Sequence, residues 1–262
     1  MIFVYLKKFL RFLIGNNNYF YVKKYFKIIK IIIFKLLEKI AYTSYSNPYY
    51  LTLKKDKFYK NLNNFFNKKN GRYIEIGGLD GYFESPTYSL YSFDSWRGVL
   101  IEPNIDAFNF IKYFRPNDEY INTACSSFEE SKKKDYIQFL DLYHSGEIYL
   151  SDAHLNEWAL NEKQSKNLKP RKVKLTNLTK IIEDSKLLKN IDIDLVVVDV
   201  EGYELNVLKG IDFNKIKIRY LLIESRSLNH FNKIKKYLGS HNFEYLTKTC
   251  SFDYLYINNK LK

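Results

Sequence analysis

Two acids and three glycines stand close together in the stretch YIEIGGLDGYFESPTYS, residues 73–89: Glu75, Gly77, Gly78, Asp80 and Gly81. Glycines that follow a short apolar run allow the backbone to approach a nucleotide-type cofactor closely. The spacing is not GxGxxG, and carboxylates beside the loop disfavour a pyrophosphate and favour a positive centre. The stretch therefore predicts a cofactor that carries positive charge and no phosphate.

Two further acids end predicted strands. Glu102 follows the apolar run RGVLI, and Asp199 follows IDLVVV. The carboxyl ends of parallel strands meet at one edge of a sheet, where an acid after the second strand can accept the hydroxyls of a ribose. S-adenosylmethionine has a ribose, an ammonium and a sulfonium but no phosphate, so we expect it as the cofactor. The alternative is that each acid is an ordinary cap or surface charge.

The elements that would position these residues alternate between β and α from about Asn70 onward. The runs RYIEIGG, RGVLIEPN and EYINTACSS predict three strands, and IDLVVVD and KIRYLLIES predict two buried ones. IDAFNFIKYF and LNHFNKIKKYLGS predict helices between them, and FEYLTKTCSFDYLYIN predicts two closing strands. IQFLDL and EIYLSD, within residues 128–170, suggest an inserted hairpin. We predict an α/β fold with a doubly wound sheet over residues 70–262.

Residues 1–69 differ from the rest of the chain in composition, and we predict a basic, aromatic-rich helical extension there. Residues 19–41 place lysines on one half of a helix and Ile, Leu and Phe on the other. Such a helix could make peripheral contact with an anionic membrane surface or pack on the catalytic core, and its lysines make it a poor membrane span. Nucleic-acid binding is not expected, since no recognisable binding motif is present.

The composition of the 262-residue chain fits one large domain plus this extension: 46% of the residues are hydrophobic and 18% aromatic. The net charge of +13 accompanies an excess of Lys, Asn, Ile, Tyr and Phe that resembles an AT-rich codon bias, so it says little about partners. Cys125 and Cys250 are far apart and lack CxxC spacing, which argues against a zinc site or a disulfide scaffold. A reduced, cytoplasmic setting is expected.

Four segments resemble, in order, the FkbM-type methyltransferases: YIEIGGLDGYFESPT, WRGVLIEPN with the later RPN, NTACSS, and IDLVVVDVEGYELNVLKGIDF. The resemblance covers about residues 71–257. It implies a seven-stranded class I sheet, S-adenosylmethionine as cofactor, and O-methylation of a hydroxyl in a sugar, glycan or polyketide. The sequence departs from the family at Glu75, Gly78 and Pro86, where Asp, Ala and Asn are frequent, and residues 128–170 have no counterpart.

Within that resemblance we expect the cofactor to be bound by seven residues: Glu75, Gly77, Gly78, Asp80, Gly81, Glu102 and Asp199. Catalysis needs the two partners in line and a group that removes the hydroxyl proton. Asp199 is the first candidate, Glu224 ends the strand LLIES at the same edge, and His154 and His230 are possible bases. We expect Glu201 to cap the helix that follows it.

Asp199 and Glu224 could instead hold Mg²⁺, but no dense acidic ligand motif is present, so no metal is expected. Two other classes of protein stay open at this point. One is a nucleotide-cofactor oxidoreductase on a similar sheet, and the other is a non-catalytic binding protein at a membrane.

Overall fold

The computed structural model of the protein describes residues 65–66, 68–82, 85–142, 149–150, 168–249 and 252–261. These residues all belong to one compact unit, residues 56–262. The predicted helix over residues 19–41, the hairpin turn, His154 and Cys250 lie outside the described residues. The extension over residues 1–69, its boundary and its contact with a membrane therefore stay predictions. Among the described helices, none combines the length and apolar character needed to cross a membrane.

The strands, in chain order, are β1 (Arg72–Ile76), β2 (Arg97–Ile101), β3 (Glu119–Ile121), β4 (Ala124–Cys125), β5 (Tyr136–Leu142), β6 (Tyr149–Leu150), β7 (Leu168–Thr176), β8 (Ile193–Val198), β9 (Ile218–Glu224), β10 (Phe243–Lys248) and β11 (Asp253–Asn258). The helices are α1 (Tyr88–Phe93), α2 (Ile105–Phe114), α3 (Phe128–Lys133), α4 (Leu178–Asp184), α5 (Glu204–Leu208) and α6 (Leu228–Gly239). A 3₁₀ turn, Asn259–Leu261, follows β11.

Seven strands form the main sheet in the order β10-β11-β9-β8-β1-β2-β3. Strands β3, β2, β1, β8 and β9 run parallel, whereas β11 is antiparallel to both of its neighbours. The order reverses between β1 and β8, which places a switch point at the carboxyl ends of these two strands. The predicted doubly wound, seven-stranded α/β sheet is confirmed.

Two hydrophobic clusters explain why the central strands are apolar throughout. In β8, Val196 and Val198 belong to one cluster, and Leu195 and Val197 belong to the other. The first cluster includes side chains from α4, α5 and α6, while the second includes Leu90 of α1 and Ile111 of α2. Both faces of the sheet are thus covered, as parallel sheets require. Trp96 is fully buried in the second cluster, where it is a packing residue.

A second sheet, which the sequence analysis only partly predicted, has the order β4-β7-β5-β6. The expected hairpin pairing exists, since β5 and β6 pair antiparallel. The prediction of one continuous strand over EYINTACSS is wrong, because β3 joins the main sheet whereas β4 pairs with β7 in the second. Cys125 ends β4 and is buried, which raises the pKa of its thiol to about 12, so this cysteine is a core residue.

Candidate functional site

The loop between β1 and α1 lies against the ends of both neighbouring strands. Gly77 has a φ of +86°, and a Cβ atom there would lie 1.7 Å from the carbonyl oxygen of Asp199. The amide of Asp199 donates to the carbonyl of Ile76 at 3.0 Å. Only glycine fits this close approach between β1 and the segment after β8. The loop is thereby fixed at the switch point of the sheet.

The same loop also reaches the end of β2. The amides of Gly77 and Gly78 both donate to the carbonyl of Ile101, at 2.9 and 3.2 Å. A Cβ atom on Gly78 would come within 3.2 Å of the Leu100 side chain, and Gly81 has a φ of +78°. These glycines allow the loop backbone to pack closely against the end of β2. The structure thus brings the three predicted glycines together.

Glu102 links this loop to the start of α2. Its Oε2 accepts the amide proton of Leu79 at 2.8 Å, and its Oε1 accepts that of Asn104 at 2.7 Å. Asn104 in turn caps α2 by accepting the amide proton of Asp106. Burial raises the pKa of Glu102 to about 8, although these two amides favour the charged form. Gly77 and Glu102 thus lie at the same edge of the sheet, and their binding of a cofactor stays a prediction.

Asp80 and Glu75 are both buried, and both contact protein groups of the loop. Oδ1 of Asp80 accepts the amide proton of Tyr82 at 3.0 Å. Oε2 of Glu75 accepts from the hydroxyls of Ser85, at 2.9 Å, and Thr87. Burial raises the pKa of Glu75, while Arg115 and the two hydroxyls oppose that shift. The described contacts of both carboxylates therefore stabilise the loop conformation.

Three carboxylates meet beyond the ends of β8 and β9. Asp199, Glu201 and Glu224 each place one carboxylate oxygen within 4.8 Å of the others. Burial of its carboxyl group, together with the neighbouring Glu224 and Glu201, raises the pKa of Asp199 well above its usual range. Asp199 therefore holds a proton more readily than an exposed aspartate does. The structure confirms that Asp199 and Glu224 share this edge.

Arg226 balances part of that negative charge. Its guanidinium lies 2.8 Å from Oε1 of Glu224 and 3.1 Å from Oε1 of Glu201. Carboxylate oxygens suit a hard cation such as Mg²⁺, so the donor set itself fits one. Arg226 already pairs with two of the three acids, so part of their negative charge is balanced without a metal. The expectation that no metal is used stays a prediction.

Glu204, the first residue of α5, holds the turn between β8 and α5, and no side chain caps this helix. Oε1 of Glu204 accepts the amide protons of Val200, at 3.2 Å, and Gly202, at 2.9 Å. Burial raises the pKa of Glu204 to about 8. The expectation that Glu201 caps α5 is wrong, because the N-cap is Tyr203 without a side-chain hydrogen bond, and the Glu201 side chain pairs with Arg226.

His230 lies beside Glu204. Its Nδ1 atom is 3.5 Å from Oε2 of Glu204, and its side chain is mostly buried. The amide of His230 donates to Ser227, the N-cap of α6. A carboxyl group on Nδ1 leaves Nε2 as the ring atom for proton exchange. The role of His230 as a base remains a prediction.

The strand order and the acids at its carboxyl edge define a class I methyltransferase fold. A family model described as "Methyltransferase FkbM domain" matches residues 75–245. The chain therefore belongs to the FkbM methyltransferase family, as its motifs predicted. The family and the fold together support methylation that depends on S-adenosylmethionine, and they decide against the oxidoreductase alternative. A search of curated proteins finds no match.

Solved structures of other methyltransferases are similar to this chain. The human methyltransferase 10 domain containing protein is 9% identical, with a TM-score of 0.38, over 72% of this chain and 71% of its own. A ribosomal RNA methyltransferase from Plasmodium falciparum is 15% identical, with a TM-score of 0.39, over 78% and 97%. Aeropyrum pernix fibrillarin with natively bound S-adenosylmethionine is 12% identical, with a TM-score of 0.36, over 72% and 66%. The family assignment rests on the domain match.

Three functional residues were missed by the sequence analysis: Arg115, Glu204 and Arg226. Arg115 belongs to the RPN segment, which the sequence analysis used only as a family motif. Glu204 and Arg226 lie next to predicted acids, at the starts of the segments after β8 and β9. The available signal was that Glu204 and Arg226 are close in sequence to Glu201 and Glu224. The ion pair of Arg226 with Glu201 also depends on β8 and β9 being neighbours in the sheet.

Proposed function

We propose that the protein is an O-methyltransferase that uses S-adenosylmethionine to methylate a hydroxyl of a sugar, glycan or related metabolite. The observation that carries this proposal is the position of Asp199, an acid of raised pKa, directly beside the glycine loop. When bound, S-adenosylmethionine supplies the methyl group on its sulfonium. The protein has to hold the acceptor in line and remove the proton of its hydroxyl.

The glycine loop and Glu102 fit a ligand with a ribose and a positive charge. Gly77, Gly78 and Gly81 let the loop backbone pack closely against the ends of β8 and β2, and buried Glu102 supplies the acceptor for ribose hydroxyls. No cluster of basic side chains faces this loop among its described contacts, which fits a cofactor without phosphate. We infer that Glu102 and these glycines hold the adenosine part of S-adenosylmethionine.

Asp199 is the proposed proton acceptor. A general base works best when its pKa lies near the working pH, and burial beside Glu224 and Glu201 moves Asp199 in that direction. Arg226 holds those two neighbours in place through its ion pairs. Their orientation is thereby fixed around Asp199, which is what a preorganised site requires.

An aromatic side chain supports a sugar or glycan acceptor. Phe252 is 43% exposed, and the amide of Ser225, the residue after Glu224, donates to its carbonyl at 2.8 Å. The guanidinium of Arg226 lies 5.7 Å from the ring centroid of Phe252. The apolar face of a sugar ring packs well on an exposed aromatic ring, whereas the sugar hydroxyls can reach the nearby carboxylates.

The proposal is tested by comparing Asp199→Asn with the wild type. Methyl transfer from labelled S-adenosylmethionine would be measured on a panel of sugars, sugar nucleotides and lipid-linked glycans, with and without EDTA. We expect the variant to lose about a hundredfold or more in turnover, the usual contribution of a general base, and to keep its affinity for S-adenosylhomocysteine. We expect the wild type to remain active in EDTA.

Asp194→Asn is the matched control, because Asp194 is a buried acid at the opposite end of β8. It should transfer methyl groups like the wild type. Full activity of Asp199→Asn would exclude Asp199 as the base, and lost S-adenosylhomocysteine binding would make it a cofactor ligand instead. If no acceptor is methylated although S-adenosylhomocysteine binds, the acceptor class is wrong or the protein only binds the cofactor.

A further inference from the structure

Arg115 is a fully buried arginine at the C-terminal end of α2. A buried guanidinium is unfavourable unless its donors are paired, so its partners show what it is built to hold. Its Nε donates to the carbonyl of Gly81 at 2.6 Å. Its Nη2 donates to the hydroxyls of Ser85, at 2.6 Å, and Thr87, at 2.9 Å. All three partners belong to the loop between β1 and α1.

On its other side Arg115 is anchored to the core. Its Nη1 donates to the hydroxyl of Tyr73 at 2.6 Å and lies 3.4 Å from Oδ2 of Asp118. The hydroxyl of Tyr73 also donates to Asp118, and Oδ1 of Asp118 accepts the amide proton of Gly98 at 3.0 Å. These anchors are on β1 and β2 and before β3, which are rigid, buried parts of the sheet. Arg115 therefore ties the loop to the sheet.

Two hydroxyls connect Arg115 to Glu75. Ser85 and Thr87 both donate to Oε2 of Glu75, and both accept from Arg115. A hydroxyl can donate its one proton and accept another through a lone pair, and the hydroxyls of Ser85 and Thr87 do both. Nη2 of Arg115 lies 3.6 Å from Oε2 of Glu75, and both side chains are buried. The two opposite charges thus lie close together, and the two loop hydroxyls bridge them.

The loop that Arg115 holds is the one proposed to receive the cofactor. One part of it is fixed by Glu102 through the amide of Leu79, and the next part is fixed by Arg115 through the carbonyl of Gly81. The guanidinium also lies 4.9 Å from the ring centroid of Tyr91 in α1, so the helix after the loop packs on it as well. A preformed loop spares the cofactor the entropic cost of ordering it.

We infer that Arg115 is a positioning residue for S-adenosylmethionine, and that it acts through Ser85 and Thr87 without touching the cofactor. The inference rests on the proposed binding of S-adenosylmethionine in this crevice. It also assigns Glu75 a different task from the predicted direct contact. Glu75 keeps the two hydroxyls oriented, because its carboxylate is the acceptor on which both converge.

The test compares two substitutions of the fully buried Thr87. Thr87→Val keeps the shape and removes the hydroxyl, whereas Thr87→Ser keeps the hydroxyl and removes a methyl group. Dissociation constants for S-adenosylhomocysteine would be measured by calorimetry well below each melting temperature, and amide hydrogen exchange of residues 77–82 would be followed without ligand. We expect Thr87→Val to bind about threefold to tenfold more weakly with faster exchange, and Thr87→Ser to bind like the wild type.

Leu238→Ala serves as the control for destabilisation alone, because Leu238 is buried in α6 within the other cluster. It should lower the melting temperature but leave the dissociation constant unchanged. If Thr87→Val does not fold, Ser85→Ala is used as the test instead, because Ser85 is only half-buried. We expect the same weakening of S-adenosylhomocysteine binding in this variant.

Wild-type affinity in both Thr87→Val and Ser85→Ala would overturn the inference, as would a loss no larger than that of Leu238→Ala. If the wild type itself does not bind S-adenosylhomocysteine, the proposed cofactor site fails, and that result is separate from the role of Arg115.

Discussion

Replacement of Glu102 by alanine is expected to weaken the affinity for S-adenosylhomocysteine while the protein stays folded. Glu102 is 4% exposed, and each of its carboxylate oxygens accepts one backbone amide proton. Each oxygen has a second lone pair, which leaves the carboxylate able to accept the two hydroxyls of a ribose. Alanine removes all of these acceptors at once.

The magnitude follows from the charge of the acceptor above pH 8, where the carboxylate form of Glu102 predominates. A hydrogen bond to a charged group contributes about 1.5–3 kcal/mol, which corresponds to about a tenfold to a hundredfold change in dissociation constant. The amides of Leu79 and Asn104 lose their acceptor as well, so the free energy of unfolding should fall by about 1–3 kcal/mol for each amide that stays buried. Binding therefore has to be measured at a temperature well below the midpoint of unfolding.

Calorimetry at several pH values gives two independent readouts. The pKa of Glu102 is about 8, so the carboxylate form becomes more populated as the pH rises from 6.5 to 8.5. Wild-type affinity should increase over that range, and Glu102→Ala should lose this increase. Asp194→Ala is the control, since Asp194 also accepts a backbone amide proton but lies at the amino end of β8. An unchanged dissociation constant in folded Glu102→Ala would remove Glu102 from the cofactor site.

Two further predictions concern the loop and the pH dependence of stability. Gly77→Ala should unfold the protein or abolish cofactor binding, because its Cβ would lie 1.7 Å from the carbonyl oxygen of Asp199. Gly239→Ala, which meets nothing within 4 Å at the end of α6, should leave the melting temperature unchanged or slightly raised, and similar melting of both variants would refute the argument. The pKa values of Glu102 and Glu204 are about 8 in the folded protein, above the usual value of 4.5, so folding takes up protons between these limits. The stability that they contribute is complete below pH 4.5 and is lost as the pH rises through 8, by at most about 1.4 kcal/mol per pH unit for each group. Urea unfolding at pH 5, 6.5 and 8 measures this, and Glu204→Gln should flatten the decrease; stability that rises over this range would contradict it.

The spacing of apolar residues along the sequence was sufficient to predict the main sheet. IDLVVV is apolar at every position, which is typical of a strand covered on both faces, and β8 is buried throughout. IDAFNFIKYF was predicted as a helix and forms α2 over the same residues. Glu102 and Asp199 could be predicted to lie at one edge of the sheet because parallel strands align their carboxyl ends. These features depend on side-chain period and strand direction, which are local properties of the chain.

The partners of the acids could not be predicted in the same way. Glu75 and Arg115 are 40 positions apart in the sequence, and nothing in either segment indicates that the residue after α2 lies beside Glu75 of β1. The second sheet was missed for a similar reason, because the short β4 leaves the main sheet to pair with the distant β7.

The sequence by itself determined which residues end the strands and therefore which functional groups reach the carboxyl edge. Only the tertiary structure decided what each group does there. Whether a carboxylate such as Glu102 or Asp199 is charged depends on its burial and on the charges around it, which come from segments far apart in the chain. The pairing of Arg226 with Glu201 likewise exists only because β8 and β9 are neighbours in the sheet.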